Sequence, residues 1–272
     1  MIRMRELIYI GNDHDMLNEL INNEKYLVKK CICVSHRISD GFIQTLRDNN
    51  IEEKIIVGRP DWPQLLVFCQ GIELIVMYKF EHILPKSMIL EHCIVNFHGG
   101  SLYDNRGGNA VVWSILNGDK NTCLSMYELT GGIDEGKLIG EYHVDIDLEN
   151  ETPITLNTKL KDGIPRLMNM LDEYLLGNRK ANLVLGGKYV RKVKETDYTI
   201  DLNKDAIELI KRKIRSQMAY KGAIVEIDGV IYRTERYSNI ETDGQRRRIE
   251  FDGVIMKVFD EKEAISVVLM KE

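Results

Sequence analysis

Several absences narrow the field before any motif is read. The 272 residues hold five cysteines, an odd number, so no closed disulfide framework follows from them. Cys31 and Cys33 alternate within a predicted strand, and Cys69, Cys93 and Cys123 read as small core residues. Cysteine and histidine are not clustered at ligand spacing, so no metal site is expected. No run of about 18 apolar residues occurs, which argues against a membrane-spanning helix. Met1–Arg5 leads straight into a predicted strand, without the apolar segment of a secretory signal. Basic residues are not in excess: the net charge is −5, unlike that of a general nucleic-acid binder. Only Gly11 stands where a Gly-x-Gly-x-x-Gly fingerprint would need three glycines, so NAD is not expected.

What is present is an alternation of short apolar runs and helical patterns. Strands are predicted over Glu6–Ile10, Leu27–Val34, Lys54–Val57 and Ile72–Met77. Between them lie helices that start near Met16, at Asp40 and at Asp61, with Asp40 as an N-cap. This order implies an α/β fold: a mostly parallel, Rossmann-like sheet with helices on both faces. Arg106–Asn117 reads as a helix closed by Gly118, and Gly136–Ile146 as a further strand. A helix is predicted from Thr152-Pro153 to Gly177, kinked at Pro165. Residues 1–180 therefore form one domain, 181–200 a linker, and 201–272 a small β-rich domain with one helix over Asp201–Met218. In that last part, Asp228-Gly229 and Asp252-Gly253 sit between alternating segments and signal hairpins.

The stretch Ile94–Ile139 carries the chemistry. Asn96 and His98 are two apart in a predicted strand, Cys93–Phe97, and so face the same side. Gly99-Gly100 and Asn105-Arg106-Gly107-Gly108 follow, backbone that turns tightly and lets a ligand come close. Asp134 lies in a glycine-rich loop after the apolar run Cys123–Leu129, where a carboxylate could orient the imidazole and favour its charged form. The plain alternative is that Asn96 and His98 are hydrogen-bonded packing and Asp134 a turn residue. Ligands of open α/β sheets bind at the carboxyl ends of strands, which puts Lys79, after the fourth strand, at the same rim. Lys79 could meet an anion there or be a solvated loop residue. Arg106 could clamp a phosphate or carboxylate, or tie its loop to nearby carbonyls.

These residues resemble the catalytic core of the folate-dependent formyltransferases. The shared pattern is Asn96-Phe97-His98, Arg106-Gly107, Trp113 and Asp134-Glu135-Gly136, with Ile83-Leu84-Pro85 upstream. The match runs without a gap from His98 to Ile139, within a likeness over roughly residues 6–230. One loop departs from it: Gly99-Gly100-Ser101-Leu102-Tyr103 replaces Pro-Ser-Leu-Leu-Pro, and the loss of both prolines loosens it.

The resemblance implies a cytoplasmic enzyme that transfers a formyl group from N10-formyltetrahydrofolate, without a metal. It implies Asn96, His98 and Asp134 as catalytic residues, Phe80, Ile83, Leu129 and Gly132 at the folate, and Lys79, Tyr103, Asn105 and Arg106 at the substrate. Asn-Arg-Gly followed by Trp-Ser-Ile is most similar to the sugar N-formyltransferases, whose acceptors are UDP- or dTDP-linked amino-deoxy sugars in bacterial surface glycan synthesis. From Asp201 onward, 14 Lys and Arg are balanced by 14 Asp and Glu. A tRNA-binding module is expected to carry a basic excess and to be longer, so nucleic acid is not the expected partner. Methionyl-tRNA formyltransferase is the alternative, and a non-catalytic folate or nucleotide-sugar binding protein the second. A homodimer is an open option, for which no exposed apolar stripe argues.

Overall fold

The computed structural model describes residues 4–272, so the expected run of Met1–Arg3 into the first strand lies outside the described residues. The chain opens with β1 (Arg5–Gly11), α1 (His14–Asn22), β2 (Tyr26–Val34), α2 (Asp40–Asp48), β3 (Glu52–Ile56), α3 (Trp62–Cys69) and β4 (Leu74–Tyr78). It continues through α4 (Lys86–Glu91), β5 (Cys93–His98), β6 (Arg106–Gly107), α5 (Ala110–Asn117), β7 (Asn121–Leu129) and β8 (Gly136–Asp145). Two helices follow, α6 (Pro153–Lys161) and α7 (Ile164–Leu175), and then β9 (Asn182–Val184), β10 (Tyr189–Val190), α8 (Glu195–Tyr198) and β11 (Thr199–Ile200). The last part holds α9 (Ile207–Gln217), β12 (Ile224–Ile227), β13 (Val230–Ile240), β14 (Arg248–Phe251), β15 (Ile255–Phe259) and β16 (Ala264–Lys271).

Eight strands form one sheet in the order β3-β2-β1-β4-β5-β7-β8-β9. The pairs from β3 to β5 are parallel, whereas β7 runs antiparallel to β5 and β9 antiparallel to β8. A strand covered on both faces needs apolar residues at every position. Leu74-Ile75-Val76-Met77-Tyr78 meets that need, and all five residues are buried. The expected α/β class is therefore observed, with the strand order reversing beside β1, where such sheets open a ligand crevice.

The chain divides into two compact units. The first gathers the chain up to Arg106 with Cys123–Tyr142 and Leu160–Lys188, and the second holds Gly107–Thr122, His143–Lys159 and Tyr189–Glu272. Helix α5 falls in the second unit because it packs on α9, where Arg212 Nη1 donates to Asn117 O at 2.7 Å. Within that unit a six-stranded sheet runs β11-β12-β13-β16-β15-β14, and α9 buries Ile207, Ile210 and Ile214 with its core. The Asp228-Gly229 turn joins β12 to β13 with φ of 51° and 76°, the two positive values of a type I′ hairpin.

Some expectations are corrected locally. The N-cap of α2 is Ser39, whose Oγ accepts from Phe42 N at 3.2 Å, so Asp40 is the first helical residue instead. The long helix expected over 153–177 is two helices, because the chain breaks at Gly163 and Pro165 lies in the first turn of the second. A Cβ at Gly163 would lie 2.2 Å from the Tyr142 ring, so only glycine fits that corner. Arg106–Gly107 is strand rather than helix, and α5 starts three residues later behind Asn109, whose φ is 62°. The helix expected from Asp201 begins at Ile207, after a turn in which Asp205 Oδ2 accepts from Asp201 N at 2.9 Å. Residues 181–200 contain β9, β10, α8 and β11, with Val184 and Val190 buried.

Candidate active site

Strand β5 ends in Asn96-Phe97-His98, and the antiparallel β7 supplies what faces them. Asn96 is 8% exposed, and its Nδ2 donates to Tyr127 Oη at 2.8 Å. Tyr127 is the cross-strand partner of Asn96, and its hydroxyl donates to Asp134 Oδ1 at 2.7 Å. The other oxygen of Asp134 lies 3.6 Å from His98 Nδ1, an ion-pair distance once the ring is protonated. His98 Nε2 is 2.7 Å from Asn105 O. A carbonyl only accepts, so Nε2 carries a proton, and Nδ1 is the ring atom turned to Asp134. Asn96, His98 and Asp134 thus meet in one polar chain, with the nearly buried Tyr127 as its middle member.

The backbone around these groups is under local constraint. Asp134 adopts φ of 48°, a left-handed conformation that aspartate tolerates better than most residues. Gly136 opens β8, and a Cβ there would sit 2.0 Å from Glu128 O. Gly107 has φ of 103°, and its Cβ would meet Val190 O at 2.2 Å. The glycines of Arg106-Gly107 and Asp134-Glu135-Gly136 are therefore required by close backbone approach.

The other residues singled out in the sequence take varied places. Arg106 is buried and binds protein groups: its Nη1 pairs with Glu135 and reaches Ile133 O at 3.4 Å, and its Nη2 donates to Gly187 O at 3.2 Å. It ties the Asp134 loop to the 186–188 segment, the second of its two expected roles. Asn105 is buried and offers its carbonyl to His98. Lys79 follows β4 with φ of 53°, and its Nζ donates to Asp13 Oδ2 at 3.0 Å. Burial pulls its ammonium below the usual lysine range, against the opposing pull of Asp13. Phe80 and Leu129 are half-buried on the apolar cluster that includes Met77 and Ile94, and Leu129 also packs beside Tyr127. Ile83 and Tyr103 are 74% and 50% exposed, and Gly132 is half-buried in its loop. Among the described residues, no group of three or more His, Cys, Asp or Glu is placed to hold a metal.

The sequence reading names Glu135 only within Asp134-Glu135-Gly136, without its pairing to Arg106, and it misses Tyr127 altogether. Tyr127 looks like one more apolar residue of the run Cys123–Leu129. Only the β5·β7 register, which sets it opposite Asn96, gives it a part in the site.

The formyl transferase family profile matches residues 67–169 of this chain. A methionyl-tRNA formyltransferase from Campylobacter curvus is 24% identical over 213 residues, 78% of this chain and 66% of that protein. Another, from Prochlorococcus marinus, is 30% identical over 156 residues, 53% of this chain and 47% of its own length. The chain thus spans about half to two thirds of these curated relatives. Among solved structures, the sugar 3N-formyl transferase WlaRD, crystallised with dTDP and 5-N-formyl-THF, superposes with a TM-score of 0.74 at 17% identity over 99% of both chains. An N-formyltransferase from Helicobacter canadensis, complexed with folinic acid and dTDP-3-aminofucose, does so with a TM-score of 0.72 at 15% identity, covering 98% of this chain and 100% of that one. The Asn-x-His and Asp-x-Gly elements that meet at one end of β5 both lie within the stretch matched by the formyl transferase profile, and the chain as a whole is similar in fold to these formyltransferases.

Proposed function

We propose that this protein is an N-formyltransferase that moves the formyl group of N10-formyltetrahydrofolate to the amine of a UDP- or dTDP-linked amino-deoxy sugar. The observation that carries the reading is the convergence of Asn96, His98 and Asp134 through Tyr127. The half-buried Phe80 and Leu129 offer an apolar flank of the kind a pterin ring needs, so the residues present fit a folate co-substrate. Tyr103, half-exposed, and Lys79, whose tethered ammonium keeps further N–H donors, are our candidates for the nucleotide sugar.

In this reading the neutral amine attacks the formyl carbon, a new C–N bond forms, and the bond to N10 breaks. Asn96 Nδ2 supplies a donor to the formyl oxygen as it gains negative charge, and a protonated His98 beside it adds its positive charge. Asp134 holds the imidazolium, and the pair passes the amine proton toward the departing nitrogen, directly or through a water. Activity falls at low pH, because the amine must arrive unprotonated.

The sugar acceptor is favoured over tRNA by the balanced charge of the tail, 14 basic and 14 acidic residues from Asp201 onward. It is also supported by near end-to-end likeness to two structures that hold dTDP or a dTDP-amino sugar. The names of the curated relatives keep methionyl-tRNA as the second reading. The test is turnover with N10-formyltetrahydrofolate and a panel of UDP- and dTDP-amino sugars, glycinamide ribonucleotide and methionyl-tRNA. Formylation of one nucleotide sugar is the expected result. Formylation of methionyl-tRNA alone would overturn the substrate. Folate binding with no turnover on any amine would overturn the enzyme.

A further inference from the structure

We infer that Tyr127 is a positioning residue of this site, whose phenol sets the orientation of the Asn96 carboxamide and couples it to Asp134. The inference rests on the formyl-transfer reading and adds to it a residue outside the Asn-x-His and Asp-x-Gly pattern. Tyr127 stands opposite Asn96 in the β5·β7 pair, so both side chains leave the same face of the sheet. Its ring is 1% exposed and packs with Leu102 and Val184, which leaves the hydroxyl little freedom to move.

The hydrogen-bond sense follows from donor and acceptor chemistry. An ionised carboxylate accepts and never donates, so the single phenolic proton goes to Asp134 Oδ1. Tyr127 Oη is then left to accept, and the group of Asn96 that faces it must be the NH2. The same NH2 keeps a second N–H for the reacting oxygen. Burial, with Asp134 adding to it, pushes the Tyr127 phenol well above its ordinary range, so it keeps its proton and stays a fixed dipole. Without that dipole the carboxamide loses its reason to present N–H, and a flipped Asn96 would turn a carbonyl oxygen toward a developing oxyanion. A lost donor and an added repulsion both fall on the transition state, not on substrate binding.

The molecule supplies its own control. Tyr26 on β2 also gives its hydroxyl to an aspartate, Asp172 on α7, outside the site. Tyr127→Phe and Tyr26→Phe each delete one phenol–carboxylate bond and keep the ring. Tyr127→Phe is expected to lower kcat roughly 10–100-fold, less than the 10²–10³ typical of losing a donor outright. The KM of each substrate should stay within about twofold. Tyr26→Phe should leave kcat unchanged while costing comparable stability. In an Asn96→Ala background, Tyr127→Phe should lower kcat less than about threefold further, since its effect runs through Asn96.

A second readout needs neither turnover nor the variant's folding. In the wild-type protein, one Asn96 side-chain N–H should be protected from solvent exchange, the signal being identified by its loss in Asn96→Ala. Full additivity of the two substitutions, a Tyr127→Phe kcat within about threefold of wild type, or solvent-rate exchange of both Asn96 protons would each overturn the inference. A wild-type protein that formylates no amine overturns the reaction instead, and the amide exchange then decides the hydrogen-bond chain alone.

Discussion

Asp13 and Asp134 belong to the same compact unit, each a few residues past the end of a sheet strand, and each is mostly hidden from water. Their partners differ in kind. Asp13 is answered by two ammonium groups, Lys79 at 3.0 Å and Lys161 at 2.8 Å, and it caps α1 by accepting from Met16 N at 3.1 Å. Asp134 is met by a phenol and by an imidazole whose charge is conditional. A permanently compensated carboxylate holds a fold. One met only by a phenol and an imidazole has no permanent counter-charge, which suits a reaction better than a scaffold. One residue type at similar depth thus meets two kinds of neighbour, and on the proposed function the difference between lysine and histidine separates scaffold from site.

The largest effect should come from the reacting side of this contrast. Asn96→Ala removes a donor from the chain that ends on Asp134, and kcat should fall about 10²–10³-fold. The melting temperature should change little, because Asn96 has no part in the apolar core. A steady-state assay beside a thermal melt checks both. A large drop in melting temperature with intact kcat would mean that Asn96 is ordinary packing and that the two aspartates do the same job.

The scaffold side predicts the reverse pattern. Asp13→Asn leaves two lysines facing a neutral amide, and stability should fall by about 2 kcal/mol. That is less than the 3–5 kcal/mol of a fully buried pair, because the Lys79 side chain is 38% exposed and partly screened. Burial alone would raise the Asp13 carboxyl, but Lys79 and then Lys161 outweigh it and hold it below its ordinary range. A carboxyl that is lower in the folded state adds stability above the usual carboxylate range and loses it as pH falls. The gap between wild type and Asp13→Asn in urea unfolding should therefore shrink as pH drops from about 5 to about 3. A gap that stays constant would remove the charge from the explanation.

The contrast also marks where sequence reading stops. Apolar runs such as Leu74–Tyr78 name their strands, because a doubly covered strand has few other ways to look. Asp228-Gly229 names its hairpin, because few other residue pairs suit two positive φ values. Asn96, His98 and Asp134 stand out because their chemistry is complementary and their spacing fits a known pattern. Tyr127 does not stand out, since its role depends on a pairing with Asn96 across 31 residues. The sequence leaves Arg106 between a ligand and its own loop, and the carbonyls of Ile133 and Gly187, which no local pattern foretells, hold it to the loop. The sequence suggests a kink at Pro165 rather than a break at Gly163, because the ring of Tyr142 that requires glycine there lies 21 residues earlier.

Lys79 sharpens the comparison most, because it is bonded to Asp13 yet stands at the strand end where a ligand would lie. If it serves the scaffold alone, Lys79→Met costs stability and nothing else. If it also meets an anionic substrate, the same substitution raises KM. Lys161 still compensates Asp13 in the variant, and the lost partner is partly screened, so the stability loss should be about 1 kcal/mol or less. One charged contact to a diphosphate is worth about 1.4 kcal/mol, a tenfold rise in the KM of the nucleotide sugar with kcat nearly unchanged. We expect both changes together, since an ammonium has three protons and Asp13 Oδ2 takes one at 3.0 Å. A KM that does not move would assign Lys79 to the fold and leave the sugar's diphosphate to other residues of the rim.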